Sequence, residues 1–171
     1  MAQKQREVTL RFVAEPTDLN VYGKVHGGMV MRWIDQTGHV CAVGWSGHPC
    51  VTLYVGGIRF YKPILVGSLV EVKATLIHTG STSMHISVDV RSGDLKTREM
   101  IQTTHCVIVF VALDDNGNTV KVPAWIPETE EDKKLDQYAL QFMEISKGAL
   151  QFMEVTKRIE QQTKKSKGGE I

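Results

Sequence analysis

Residues that could act on an activated carbonyl group are concentrated between Asn20 and Asp35. Gly27 and Gly28 lie at the predicted start of a helix, where backbone N–H groups have no helical partner and no Cβ blocks a ligand. Such a helix end can hold the oxygen of a polarised carbonyl. Asp35 follows about two turns later, and Asn20, in the preceding loop, offers both an amide donor and an acceptor. Together they could supply a base, an oxyanion site and a group that positions water or substrate.

Each of these residues also has an ordinary structural explanation. Paired glycines at a helix start often serve packing or a turn, and a single helix aspartate often pairs with an arginine or caps a backbone group. Asn20 stands in a turn-prone stretch, where asparagine commonly forms an Asx turn. The joint spacing of the four residues, rather than any one of them, favours catalysis.

The elements that position these residues are one helix and several strands. Apolar residues at helical spacing predict a helix over 27–44, in which Gly38 and Ala42 share the Asp35 face and could leave room for a ligand. The pair Gly56-Gly57 predicts a bulge or a close approach of another group. One helix cannot cover both faces of a sheet, so we expect an α+β fold in which a curved antiparallel sheet wraps around the helix. Alternating patterns and continuous β-prone runs predict five strands, the last four in meander order, over 7–13, 51–60, 69–78, 84–91 and 99–113.

The composition changes after residue 127, so we divide the chain into a domain over 1–127 and an extension over 128–171. A second helix is predicted over 128–162, with acidic residues at its start and an apolar stripe that includes Tyr138, Phe142 and Ile145. The segment 139–144 recurs at 149–154, and a basic tail at 164–169 ends the pattern.

Composition and charge exclude several classes of function. The net charge of +1 indicates neither a nucleic-acid partner nor an anionic membrane partner. The charged N-terminus lacks a signal-peptide core, and no apolar run is long enough to span a bilayer, which predicts a cytoplasmic protein. Three cysteines without CxxC spacing predict reduced thiols. Six histidines without an HExxH pattern predict no metal site, and we expect no other cofactor.

The run N-x-x-G-x-V-H-G-G-x-V-M-x-W-I-D, from Asn20 to Asp35, resembles the signature of the hot-dog-fold acyl-CoA thioesterases. The similarity continues through 59–64, 79–84 and 104–112 and covers roughly residues 5–127. The acidic start of the second predicted helix resembles an appendage found in some bacterial acyl-CoA hydrolases of this family.

The resemblance implies hydrolysis of fatty acyl-CoA to a free fatty acid and CoA. Asp35 would be the general base or a nucleophile, and Asn20 would position the water or the thioester carbonyl. The N–H of Gly28 or Gly27 would stabilise the oxyanion, while His26 is expected to be structural. The resemblance also implies a homodimer in which Asn20 faces Asp35 of the partner subunit, commonly within a trimer of dimers. Some members respond to nucleotides, so a nucleotide regulator is possible.

Residues for the coenzyme A moiety are expected to supply positive charge, hydroxyl groups and accessible backbone. Arg91 and Arg98 are additional phosphate candidates, although a solvated surface charge explains any single arginine equally well. The predicted coenzyme A residues are Gly56, Gly57, Arg59, Lys62, Thr79, Ser81, Thr82 and Ser83.

Two rival functions are left open by the sequence. A hot-dog dehydratase or hydratase would need a histidine where Asn20 stands, which disfavours it. A non-catalytic acyl-CoA or nucleotide sensor is the other alternative, and the long apolar-striped helix favours it. No basic stripe or helix pair of a DNA-binding protein accompanies that helix.

Overall fold

The computed structural model describes residues 4–145 and 147. One helix and a five-stranded antiparallel sheet form its body, and a short 3-10 turn, Pro16–Asp18, precedes the helix. Residues 130–145 are also helical, and we call them the C-terminal helix segment. The elements in chain order are β1 (Glu7–Val13), α1 (Gly27–Ser46), β2 (Cys50–Phe60), β3 (Leu69–Thr79), β4 (Ser83–Gly93) and β5 (Met100–Ala112).

Helix α1 lies across the sheet and contacts all five strands. It ends at Gly47, whose φ of 72° suits a glycine cap. The buried face of α1 includes Trp33, Ile34, Gly38 and Ala42. A Cβ on Gly38 would lie 2.9 Å from the Phe110 ring, so the small residue allows close helix–sheet packing. The expectation that Gly38 and Ala42 leave room for a ligand is therefore wrong, because both are filled by the core.

The strand order is β1-β3-β4-β5-β2. The meander prediction is confirmed for β3, β4 and β5 and wrong for β2, which pairs with β5 and not with β3. Residues 80–82 are a tight turn that forces β3 and β4 to pair, whereas the eight-residue connection over 61–68 can pass along the end of the sheet. The five strands thus close around α1, as the hot-dog expectation requires.

Strand β2 contains the bulge that Gly56-Gly57 predicts. Its register with β5 shifts between Gly56 and Arg59, and Gly57 has a φ of 61°, in the left-handed region that glycine tolerates. A Cβ on Gly56 would overlap the Phe142 ring. The close approach predicted there is made by the C-terminal helix segment.

The sheet is covered on both faces. The inner face packs on α1, and the outer face carries a smaller cluster formed by Ile77, Val107, Ala139 and Phe142. This second cover explains why the end of β5 is apolar on both faces, as the sequence indicates. The buried stripe of the C-terminal helix segment differs from the predicted one, because Ala139 is buried while Ile145 is 72% exposed.

Parts of the sequence prediction cannot be compared with the fold. The continuation of the second helix to residue 162, the repeat at 149–154 and the tail at 164–169 lie outside the described residues. Within the part of the chain that the structure describes, no helix is long and apolar enough to cross a membrane.

Candidate active site

Asp35 is exposed on α1 and lines a groove of ≈ 400 Å³, which we call the Asp35 groove. Arg32 lines the same groove, but no ion pair between it and Asp35 occurs among the described residues. The remaining wall residues are apolar side chains and one glycine: Gly28, Met31, Ile34, Val55, Ile58 and Ile108. A carboxylate in an apolar groove suits a base that acts beside a hydrocarbon chain.

Thr52 of β2 holds the Asp35 carboxylate. Its hydroxyl donates to Asp35 Oδ1 at 2.5 Å, and Asp35 Oδ2 makes no hydrogen bond among the described residues. Sequence reasoning missed Thr52. The available signal is a threonine in a largely apolar run from Val51 to Val55, but only the packing of β2 beside α1 shows which residue its hydroxyl meets.

Asn20 forms the Asx turn that was its structural alternative. Its Oδ1 accepts hydrogen bonds from the backbone N–H groups of Tyr22 at 2.9 Å and Lys24 at 3.2 Å. Because both partners are donors, the side-chain oxygen must face them, and the amide NH₂ faces away. Asn20 can therefore donate to a ligand, while its acceptor is already engaged.

The start of α1 separates the two glycine candidates. The Gly28 N–H donates to Nδ1 of His26 at 2.9 Å, so His26 caps the helix and has the structural role expected for it. The Gly27 N–H has no partner among the described hydrogen bonds. Within this chain, Gly27 is the helix-start donor that remains available to an oxyanion.

Asn20 lines a second groove of ≈ 320 Å³, here the Asn20 groove, together with Gly27, Phe60 and Lys62. Asp35 is absent from its walls, and Asn20 is absent from those of the Asp35 groove, as far as the described residues go. Gly27 borders one groove and Gly28 the other. A single chain therefore presents two half-sites on either side of the helix start.

Of the predicted coenzyme A residues near β2, Lys62 lines one of these grooves, and Gly56, Gly57 and Arg59 line neither. Lys62 lines the Asn20 groove, and the Arg59 guanidinium stands over the Tyr61 ring at 5.8 Å. Gly56 is buried, and a Cβ on it would overlap the Phe142 and Tyr54 rings, whereas Gly57 is exposed and a Cβ on it would lie 3.2 Å from Phe142. The two rings account for glycine at position 56, and the φ of 61° accounts for glycine at position 57, without a ligand.

The predicted loop from Thr79 to Ser83 lies at the opposite end of the sheet. Ser83 pairs with Val111 of β5, whereas the Lys62 N–H donates to the Thr103 carbonyl of the same strand. Val111 and Thr103 are about eight residues, or roughly 25 Å, apart along β5. Within the loop, Thr79 Oγ1 accepts from the Trp125 N–H at 2.9 Å. The Ser81 and Thr82 carbonyls accept from Val122 and Ala112 at 3.0 and 3.2 Å, so these groups anchor the chain that follows β5.

Other kinds of chemistry lack support in the described residues. Cys41, Cys50 and Cys106 are buried, and burial raises the pKa of Cys41 and of Cys106 to about 12, which disfavours a nucleophilic thiolate. No group of three or more His, Cys, Asp or Glu side chains in the described part of the chain could hold a metal ion.

Comparison with known proteins agrees with this architecture. The family model of the thioesterase superfamily matches residues 22–99. A Bacillus subtilis protein named as an uncharacterized acyl-CoA thioester hydrolase is 33% identical over 126 residues, which is 74% of this chain and 73% of that one. The fold, together with an exposed carboxylate in an apolar groove, defines a hot-dog thioesterase type of protein.

Two solved structures extend the match to three dimensions. A hexameric acyl-CoA thioesterase superposes with a TM-score of 0.81 at 31% identity, over 85% of this chain and 94% of that one. A Staphylococcus aureus acyl-CoA hydrolase, solved with butyryl-CoA and CoA, gives a TM-score of 0.82 at 27% identity, over 93% and 96%. The chain belongs to the thioesterase superfamily, among the hot-dog-fold acyl-CoA hydrolases.

Proposed function

We propose that this protein hydrolyses fatty acyl-CoA to a free fatty acid and CoA, with Asp35 as the general base. The Asp35 carboxylate carries the proposal, because Thr52 fixes one of its oxygens at 2.5 Å and the other is available to accept a proton from water. A thioester is already an activated acyl donor. The site needs only a positioned water, a base and oxyanion donors, and Asp35, Asn20 and the Gly27 N–H are candidates for the base and the donors.

The active site is proposed to form between two chains. Asn20 and the Gly27 N–H would act as donors to the thioester oxygen in one chain, facing Asp35 of the partner subunit. The separation of the two grooves within one chain supports this arrangement, because neither half-site holds both the donors and the base.

An exposed apolar face supports self-association. Strand β2 is an edge of the sheet, and Val51, Leu53 and Val55 on it are 47%, 66% and 39% exposed. Met31 and Val40 of α1 are 45% and 44% exposed. An 11-residue edge with exposed apolar side chains pairs readily with a second chain, here a second copy. Because the solved neighbours include a hexamer, we propose a dimer within a trimer of dimers.

The relatives support the residue roles by analogy. Variants of the S. aureus hydrolase have been solved with alanine in place of one aspartate, one asparagine and one threonine. Those residues have the same spacing in that chain as Asn20, Asp35 and Thr52 have here. A nucleotide regulator, a cytoplasmic location and the eight predicted coenzyme A residues stay predictions.

The test is a thiol-release assay over acyl-CoA chain lengths, with and without nucleotides. The native protein contributes little background, because its three cysteines are buried. Asp35→Asn should lower kcat by at least about 100-fold, since it removes the base without changing shape. Asn20→Asp keeps the oxygen that Tyr22 and Lys24 require and removes only the NH₂ donor, so it should reduce turnover while preserving the loop.

Mixing the two variants tests whether sites are shared. A mixed dimer contains one intact site, so statistical exchange should restore roughly a quarter of wild-type activity. Full activity of Asp35→Asn would refute the assignment of the base. Release of no thiol from any acyl-CoA, with tight CoA binding, would favour the sensor, and turnover of enoyl-CoA without thiol release would favour the hydratase.

A further inference from the structure

The outer side of the β2 bulge is covered by two aromatic rings, Phe142 of the C-terminal helix segment and Tyr54 of β2 itself. Phe142 is buried, and a Cβ on Gly57 would lie 3.2 Å from it, while one on Gly56 would overlap it. The Tyr54 ring packs against the Phe142 ring with centroids 5.8 Å apart. Because Tyr54 belongs to β2 and would move with it, Phe142 is the ring from another element that limits outward movement of the bulge.

The inner side of the same bulge forms a wall of the Asp35 groove. Val55 and Ile58 flank Gly56-Gly57 and line that groove, where Val55 pairs with Ile108. Gly56 pairs with Val107, which belongs to the outer cluster with Phe142. The β2 backbone at the bulge therefore separates the Phe142 ring on the outer face from the Asp35 groove on the inner side.

Several polar contacts hold the C-terminal helix segment in position on the outer face. Arg6 pairs with Asp132 at 2.7 Å, and His78 Nδ1 lies 2.7 Å from Asp136 Oδ1. The Tyr138 hydroxyl lies 3.2 Å from Nε2 of His105. These contacts come from β3, β5 and the start of the chain, so the helix segment is also held by elements other than β2.

We propose that Phe142 is a positioning residue that sets the depth of the Asp35 groove through the β2 bulge, and so selects acyl chain length. The inference rests on the proposed function. Phe142 does not touch the groove, and it acts by preventing Val55 and Ile58 from retreating. A fitted pocket wall discriminates a single methylene by about tenfold or more, so a small displacement of this wall changes which acyl chain fits.

The experiment compares Phe142→Ala, Phe142→Leu and the control Ile145→Ala in the full-length chain. Ile145 is on the same helix segment and is 72% exposed. Its truncation therefore also removes a large apolar side chain from this segment, but not one packed against the bulge. In Phe142→Ala, the ratio of kcat/KM between the preferred acyl chain and one two methylenes longer should fall by roughly tenfold. Phe142→Leu should lower the same ratio by a smaller factor, about threefold, with slightly faster exchange over 50–60, and Ile145→Ala should change neither. Hydrogen exchange of the peptide over 50–60 should accelerate most in Phe142→Ala.

The outcomes separate this inference from the proposed function. Equal loss at every chain length, or an unchanged profile with faster exchange at 50–60, would show a purely structural role and overturn the inference while the hydrolase assignment stands. If Phe142→Ala fails to fold, Phe142→Leu decides the question, and a wild-type profile and exchange rate in it would overturn the inference. A wild-type chain without thiol release would overturn both.

Discussion

The Thr52 hydroxyl and the Asp35 carboxylate meet between the start of β2 and the middle of α1, and their 2.5 Å hydrogen bond orients the proposed base. The Asx turn of Asn20 acts similarly on the other half-site, because it commits the side-chain oxygen and leaves the NH₂ group for substrate. In both cases a hydrogen bond from a neighbouring group engages one side-chain atom and leaves the other available to water or substrate. The role of each residue follows from its hydrogen-bond partner as much as from its own type.

Replacing Thr52 tests whether orientation of Asp35 matters. A hydrogen bond to a charged group contributes about 1.5–3 kcal/mol, so Thr52→Val should lower kcat by roughly 10- to 100-fold. Because Thr52 is exposed, thermal stability should change little. Thr52→Ser retains the hydroxyl and serves as the control. Equal kcat in Thr52→Val and wild type would remove Thr52 from the site.

His85 should make the stability of the protein depend on pH. Burial, followed by the neighbouring His78 ring, lowers the pKa of His85 from 6.5 to about 4. The unfolded chain takes up this proton near pH 6.5 but the folded chain only near pH 4, so the stabilisation present above pH 6.5 is lost as pH falls between them. Within that window, the free energy of unfolding should fall by up to about 1.4 kcal/mol per pH unit from this residue.

Urea denaturation at steps between pH 7 and pH 4 measures this slope. His85→Gln cannot take up the proton and should show a shallower slope, whereas His48→Gln, on an exposed turn, should match wild type. The same slope in His85→Gln and wild type would assign the effect to other groups.

Close packing of α1 on the sheet depends on Gly38, which faces the side chains of Phe110 and Ile108 in β5. Gly38→Ala should destabilise the fold by about 1–3 kcal/mol, because a Cβ would lie 2.9 Å from Phe110 and 3.2 Å from Ile108. Chemical denaturation measures the change.

A second glycine of α1 provides the matched control. Gly44 is exposed, and a Cβ there would lie 3.2 Å from Cβ of Gln5, an exposed residue before β1 that needs to shift by only a few tenths of an ångström. Gly44→Ala should be neutral or stabilise the protein by up to about 1 kcal/mol, since alanine favours a helix over glycine. If both substitutions had the same effect, helix propensity rather than packing would explain Gly38.

Assembly completes the site in the proposed mechanism, so assembly and activity should be lost together. Leu53→Lys places a charge on the exposed β2 edge and should convert oligomers to monomers in light scattering, with at least about a tenfold loss of kcat/KM. Ile126→Lys, at a residue after β5 that is 74% exposed, should change neither assembly nor thermal stability. A fully active Leu53→Lys monomer would contradict a shared site.

Much of the fold could be predicted because its signals are local. The helix was predicted over 27–44 and spans Gly27–Ser46, and β1 was predicted with its observed bounds. Each predicted strand exists within three residues at either end. Local periodicity reflects which side chains of an element face the core, and it is the same whichever neighbours the element has in the fold. The position of β2 could not be predicted, because strand pairing depends on how the long 61–68 connection closes around α1.

The sequence alone determined that a helix starting at Gly27-Gly28 carries Asp35 inside an α+β fold, since spacing and periodicity act over a few residues. The Asn20 side-chain oxygen accepts a hydrogen bond within a turn, the Gly28 N–H donates to His26, and Asp35 accepts from Thr52, which is 17 residues later in β2. Only the tertiary structure decided that these atoms are engaged and which others are available to a ligand. It also decided that Phe142, more than eighty residues after Gly56, fills the space that the glycines leave. Such partners meet only when distant elements pack, and no local pattern encodes that meeting.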